Sequence, residues 1–188
     1  NGGQSGLGPK WQVNASDGIF RYPFTNSSGS GTTYKRLRVR TADLDTTTYA
    51  GAQYFVEGHY ICGDDAAAGN DNNNASYRRV TFSGGPSDYS MSLTGSTIRQ
   101  LPAIYAWQAA DPTVTITTVD VPGDGRFIVA CKVTNNAGQY TYEYAVHNLS
   151  SHRSAGSFSV PKPSGATATS GSSPRACSAP PSASSSRA

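Results

Sequence analysis

The sequence predicts an all-β fold, an antiparallel β-sandwich of the immunoglobulin-like or jelly-roll-like kind. Composition is the first observation: the chain has 11 Tyr and 20 Gly among 188 residues, and only 14% of its residues are charged. Tyr, Thr and Val favour strands, whereas Gly and Asn favour turns. Two glutamates and four lysines are too few for a helical bundle or a coiled coil. The longest apolar runs, such as residues 127–131, are too short to form a membrane-spanning helix.

Alternation of apolar and polar residues is the second observation. In residues 125–134 and 139–148 large apolar or aromatic side chains recur at every second position, and the Asn- and Gly-containing segment between them predicts a β-hairpin. We expect one alternating set of this hairpin to pack on the core, namely Phe127, Val129, Val133, Tyr142, Tyr144 and Val146. Shorter runs predict strands at 19–24, 34–40, 53–61, 77–82, 103–108 and 157–160. Residues 64–69 suit a single helical turn.

The chain divides into three parts by composition. Residues 1–9 are Gly-rich and are predicted to be a linker, and residues 10–163 are predicted to be the β-sandwich domain. Residues 164–188 contain mainly Ser, Ala and Pro with no large apolar side chain, which predicts a disordered C-terminal tail with a reactive thiol at Cys177. Because the chain begins at Asn1 without a methionine, we expect a processed protein or an internal fragment.

Catalytic motifs of the common hydrolase and nucleotide-binding classes are absent from the sequence. Its two glutamates, Glu57 and Glu143, are the alternative catalytic residues, because small jelly-roll xylanases share this length and composition and use paired carboxylates in a retaining mechanism. Glu143, however, is predicted on the strand face opposite the tyrosines, whereas a sugar cleft needs both on one face. We therefore expect no catalytic activity.

The loop after the predicted strand at 53–61 offers candidate ligands for a metal ion. Asp64, Asp65 and Asp71 are calcium candidates, since carboxylates and the amide oxygens of nearby Asn residues are ligands that calcium prefers. The favoured alternative is that these Asp and Asn residues form turns and cap a short helical turn. His147 and His152 flank a turn and are interpreted as solvent-side residues, not as a metal pair. Cys62, Cys131 and Cys177 form no zinc pattern, and both one disulfide and none remain open.

Charge is weakly basic, with a net charge of +3, which argues against a nucleic-acid partner. Arg36, Arg38 and Arg40 alternate along a predicted strand. One interpretation is a patch for an anionic or cell-envelope polymer. The favoured interpretation is a charged outer face that prevents edge-to-edge pairing.

Several separated segments resemble a group of large, secreted, uncharacterised bacterial proteins of the Planctomycete type. The resemblance lies in residues 1–9 (NGGQSGLGP), 54–79 (YFVEGHYICGDDAAAGNDNNNASYRR), 99–107 (RQLPAIYAW), 121–129 (VPGDGRFIV) and 142–160 (YEYAVHNLSSHRSAGSFSV). It implies an exported protein, extracellular or in the cell envelope, whose chain extends in both directions. It supplies no activity and no site residues.

Together these observations predict a secreted structural or interaction module without a cofactor, calcium excepted. Its expected partners are a cell-envelope polymer or neighbouring domains of a larger protein. The alternative is a carbohydrate-active β-sandwich, either a sugar-binding module or a retaining glycosidase that uses Glu57 and Glu143.

Overall fold

The computed structural model describes residues 8–26, 28–31, 34–36, 38–161, 164 and 167. Most of the predicted linker lies outside these described residues. So does the predicted tail, apart from Ser164 and Thr167, and with it Cys177. The structure therefore tests mainly the predicted β-sandwich domain, residues 10–163.

Strands dominate the described chain. Eight strands are joined by turns, loops and short helices: β1 (Val13–Asn14), β2 (Ile19–Phe20), β3 (Tyr54–His59), β4 (Ala75–Gly85), β5 (Asp88–Ile98), β6 (Thr115–Val121), β7 (Gly125–Asn136) and β8 (Gln139–Asn148). Two short α-helices interrupt them, α1 (Gly63–Ala67) and α2 (Tyr105–Ala110), and 3-10 turns cover Lys10–Gln12, Thr41–Leu44 and Asp71–Asn73.

The strands form three antiparallel sheets with sequential neighbours. Their orders are β1-β2, β3-β4-β5 and β6-β7-β8. The two larger sheets meet at a small core in which Ala75 from β4 packs with Ile128 from β7 and Leu149. The predicted all-β, antiparallel, sandwich-like class is confirmed.

The hairpin of β7 and β8 is confirmed with its turn. Asn136 pairs with Gln139, so Ala137 and Gly138 are the two turn residues. Both have positive φ angles, 51° and 93°, as a two-residue hairpin turn of this hand requires. The Asn135 side chain also accepts a hydrogen bond from the Gly138 N–H at 2.9 Å.

The predicted core face of this hairpin is wrong. Ile128 and Ala130 are buried on the opposite face of β7, while Val133, Tyr142 and Val146 are about half exposed. The predicted face is therefore largely open to solvent. The reason is that both faces of β7 are apolar, so alternation defines two faces without determining which one meets the second sheet.

Three of the shorter strand predictions are also wrong. Residues 103–108 enter α2 instead of a strand, since their alanines favour a helix that buries Ala106. Residues 157–160, and the described residues within 34–40, have no strand, so the predicted strand face shared by Arg36, Arg38 and Arg40 is not formed. The predicted helical turn is confirmed as α1.

No helix in the described ranges is both long enough and apolar enough to cross a membrane.

Candidate functional site

The outer face of the β6-β7-β8 sheet carries the tyrosine row of β8. Strand register places alternate residues 115–119 of β6, 127–135 of β7 and 140–148 of β8 on this face, which we call the tyrosine face. None of the residues at these positions is charged. The charged side chains of the three strands lie at the intervening positions: Asp120, Arg126, Lys132 and Glu143.

Three tyrosines form a regular row along β8. The ring centroids of Tyr140 and Tyr142 are 6.5 Å apart, and so are those of Tyr142 and Tyr144. This spacing is close to the advance of two residues along a strand, about 6.6–6.8 Å, so the strand itself sets the repeat. The rings of Tyr142 and Tyr144 are nearly parallel, with an interplanar angle of 7°. The row is thus an ordered aromatic surface.

Phe158 extends the row beyond β8. The Phe158 ring, in the segment after β8, packs edge-on against Tyr144 with ring centroids 5.2 Å apart. Tyr142 keeps 53% of its surface exposed, and Val119, Val133 and Val146 are each 47% exposed. Contiguous exposed apolar surface of this kind marks interaction sites in soluble proteins.

The tyrosine face stays uncharged at physiological pH. The pKa of Tyr144 lies above its ordinary value of 10.0, because partial desolvation and the neighbouring Cys131 thiol both disfavour the phenolate. Cys131 lies directly across from Tyr144 on β7 and is a free thiol, as is Cys62. These two cysteines are therefore not joined by a disulfide in the structure.

Glu57 lies between the two larger sheets and not on the tyrosine face. Its Oε1 is 3.4 Å from Nε2 of His147 on β8, and its Oε2 accepts a 2.6 Å hydrogen bond from the Ala103 N–H. Nε2 of His147 is buried and has no well-aligned hydrogen bond among the described residues. His59 follows two residues later on β3, on the same strand face as Glu57.

The surroundings of Glu57 and His59 shift the pKa values of both side chains. Burial acts to raise the pKa of Glu57, but contacts with His147 and the Ala103 N–H outweigh it and leave this pKa below the usual value. Burial also lowers the pKa of His59, against the opposing effects of the Asp71 backbone and the Glu57 carboxylate. Glu57 is thus held as a carboxylate and His59 as a neutral imidazole near pH 7.

Glu143, the second alternative catalytic residue, is exposed and lies opposite Lys132 on β7. Along β8 it is four residues from His147, about 13 Å of strand. The structure therefore brings a histidine to Glu57 and does not bring the second glutamate to it. A retaining mechanism needs carboxyl groups only ~5–5.5 Å apart.

The calcium candidates Asp65 and Asp71 form hydrogen bonds with different neighbours. Asp64 and Asp65 lie in α1, where the Asp65 carboxylate accepts a hydrogen bond from the Asn74 amide. Asp71 begins the following 3-10 turn and contacts the Asn72 amide. The described residues contain no cluster of three or more His, Cys, Asp or Glu side chains arranged for a metal. The calcium site stays a prediction.

The structure also gives partners to the candidate histidines and to Arg40. His147 contacts Glu57, whereas the His152 backbone N–H donates to Asp124 at 2.9 Å, so the two histidines have different partners. Arg40 forms a bidentate contact with Asp43. Asn72, one of the Asn residues considered with the calcium candidates, instead accepts a hydrogen bond from the buried Ser150 hydroxyl and so ties the 3-10 turn at Asp71–Asn73 to the segment that follows β8.

Comparison with known proteins gives no further guide to the site, since the chain matches no protein-family model, no curated protein and no solved structure.

Proposed function

We propose that this chain is a non-catalytic interaction module of an exported bacterial protein, and that its tyrosine face binds a neutral polysaccharide. The observation that carries the proposal is an uncharged row of three tyrosines at a regular 6.5 Å spacing on the outer face of a sheet, with Tyr140 and Tyr142 exposed and Tyr144 half-buried. The extracellular or cell-envelope location belongs to the proposal and rests on composition and on the resemblance described above.

A neutral sugar polymer suits this chemistry better than other ligands. Aromatic rings offer flat apolar surface to the C–H faces of sugar rings, and tyrosine hydroxyls supply hydrogen bonds at the rim. Thr115 and Thr117 on β6 and Asn135 on β7 add polar groups without charge. The tyrosine rings also repeat at a regular spacing along β8, which suits a polymeric ligand made of repeating units.

An anionic polymer fits the tyrosine face less well. Such a ligand requires Lys or Arg at the contact surface. Lys132 and Arg126 lie on the opposite face, where they pair with Asp111 and Asp120 at 2.7 Å and 2.6 Å. Both cationic side chains are therefore already engaged in ion pairs within the chain.

A glycosidase function has less support than binding. The tyrosine face carries no carboxylate, and Glu57 is engaged with His147 and Ala103 on the inner side of the other sheet. A sugar held on the tyrosine row therefore has no acid or base beside it. The absence of a nearby carboxylate pair favours binding without cleavage.

A glycan array that includes neutral and anionic oligosaccharides tests the proposal. We expect retention of neutral glycans, with binding that changes little between low and high salt because no ion pairs are formed. A double variant, Tyr140→Ala with Tyr142→Ala, should lose this retention while keeping its fold. Binding only to anionic glycans, or to none, would overturn the proposal.

A further inference from the structure

The hairpin of β4 and β5 extends past its neighbouring strand. β3 pairs with residues 75–80 of β4 and ends there, whereas β4 and β5 continue to pair up to Gly85 and Asp88. Residues 81–92 are therefore a two-stranded ribbon without a third strand in the described sheet. A two-stranded ribbon of this kind is only marginally stable alone in water.

β5 is the outer strand of this sheet and lacks the usual protection of an edge. It runs for 11 residues, contains no proline and no lysine, and carries one charge, at Asp88. Met91 and Leu93 are 53% and 52% exposed on one side of β5, on the same side as Tyr89. Natural edge strands are normally kept short or blocked by charges and proline, because unpaired backbone groups recruit another strand.

We propose that β5 pairs antiparallel with β5 of a second copy of this chain, about a two-fold axis at Met91. In this register Met91 faces Met91 of the other copy, and Tyr89 faces Leu93. The three apolar side chains share one side of the strand, so the register joins the two sets into a single cluster. The proposal is independent of the tyrosine face, which belongs to the other sheet.

Backbone geometry selects this register. Between Tyr77 and Arg79 the pairing of β4 with β5 shifts, and Gly95 on β5 has a φ of 64°, so β5 departs from regular geometry after Thr94. Pairing centred on Met91 uses only residues 88–94, the regular part of the strand. It also places Asp88 opposite Thr94, so that no like charges meet.

Disulfide trapping tests the register. Directly opposed residues in antiparallel strands have Cα atoms about 4.5–5.5 Å apart, which is within the range for a disulfide. Met91→Cys should therefore form an intermolecular 91–91 disulfide under mild oxidation, identified by mass spectrometry of the linked peptide. Leu93→Cys is the matched control, since it is equally exposed but lies about 13 Å from its own copy in this register.

We expect the 91–91 link to form at least about tenfold faster than the 93–93 link. The weight-average mass of the wild type in sedimentation should rise from 19.7 kDa towards twice that value with concentration. Met91→Lys should stay monomeric, because it places like charges opposite one another. Val39→Lys, at a comparably exposed apolar residue outside β5, should associate like the wild type. A wild type that stays monomeric, or a 93–93 link as fast as the 91–91 link, would overturn the proposal.

Discussion

Glu57 joins two sheets through one side chain. Its carboxylate contacts His147 on β8 and accepts the Ala103 N–H just before α2, so three segments distant in sequence depend on it. The sequence singled out Glu57 because glutamate is rare in this chain. It gave no sign of His147 as the neighbour, because that contact exists only once the sheets are packed.

Removing the Glu57 carboxylate should destabilise the protein. Glu57→Ala leaves the Ala103 N–H without its acceptor and removes the carboxylate that lies 3.4 Å from His147 Nε2, which should lower the free energy of unfolding by about 1–3 kcal/mol. Glu57→Gln, which keeps a carbonyl oxygen for Ala103, should cost less. Urea denaturation measures both, and equal stability of Glu57→Ala and wild type would show that the contact is not formed in solution.

His59 should make stability depend on pH. Its pKa is lowered in the folded state by burial, so the unfolded chain binds the proton more tightly. Stability should be complete above the unfolded pKa of about 6.5 and fall as the pH drops below it towards the lowered folded pKa.

The variant that checks this effect is His59→Gln, which should reduce the loss of stability between about pH 7 and pH 5. His152→Gln is the matched control, because His152 is exposed and uses only its backbone N–H in the contact with Asp124. If the His59→Gln and wild-type profiles coincide over this range, His59 does not cause the decline.

At the scale of elements, the orientation of the β6-β7-β8 sheet is the main feature that alternation did not predict. The strands and turn of the β7-β8 hairpin followed from the pattern, since only a strand alternates with a period of two residues. Which face is buried depends on the shape of the second sheet. Near Ala75 the space admits Ile128, and Ala130 is buried on the same face of β7, while the large tyrosine rings lie on the other face of the sheet.

Truncation of the two faces of β7 should have unequal effects. Ile128→Ala removes a side chain that is 2% exposed and should lower the free energy of unfolding by about 2–5 kcal/mol. Val133→Ala, on the same strand but facing solvent, should cost less than about 1 kcal/mol. Chemical denaturation of both variants is the measurement. A larger loss of unfolding free energy for Val133→Ala than for Ile128→Ala would show that the Val133 face of β7 packs on the core.

Gly125 is required where the chain after β8 crosses the start of β7. A Cβ atom at this position would lie 2.5 Å from the backbone nitrogen of Ser151 and 2.6 Å from the backbone carbon of Ser150. Gly125→Ala should therefore cost about 1–3 kcal/mol of stability. Gly58→Ala on β3, where a Cβ meets nothing within 4 Å, is the control and should be neutral or slightly stabilising. Equal melting temperatures for the two variants would contradict this packing.

At the scale of the whole molecule, composition was enough to predict the fold class, because the residues that favour strands and turns are spread along the entire domain. It did not predict α2, where local alanines override the alternation in residues 103–108. The candidate site was also beyond prediction. Its tyrosines were visible in the sequence, but their exposure depends on how the two larger sheets pack.

Affinity for a neutral polysaccharide tests the central claim most directly. Calorimetric titration of the polysaccharide retained on the array should give a Kd at least about tenfold weaker for Tyr142→Ala than for the wild type, as expected when a central aromatic contact is removed. Tyr60→Ala, at a tyrosine that is 77% exposed and lies outside the tyrosine face, should bind like the wild type. A folded Tyr142→Ala variant with wild-type affinity would show that the tyrosine face is not the binding surface.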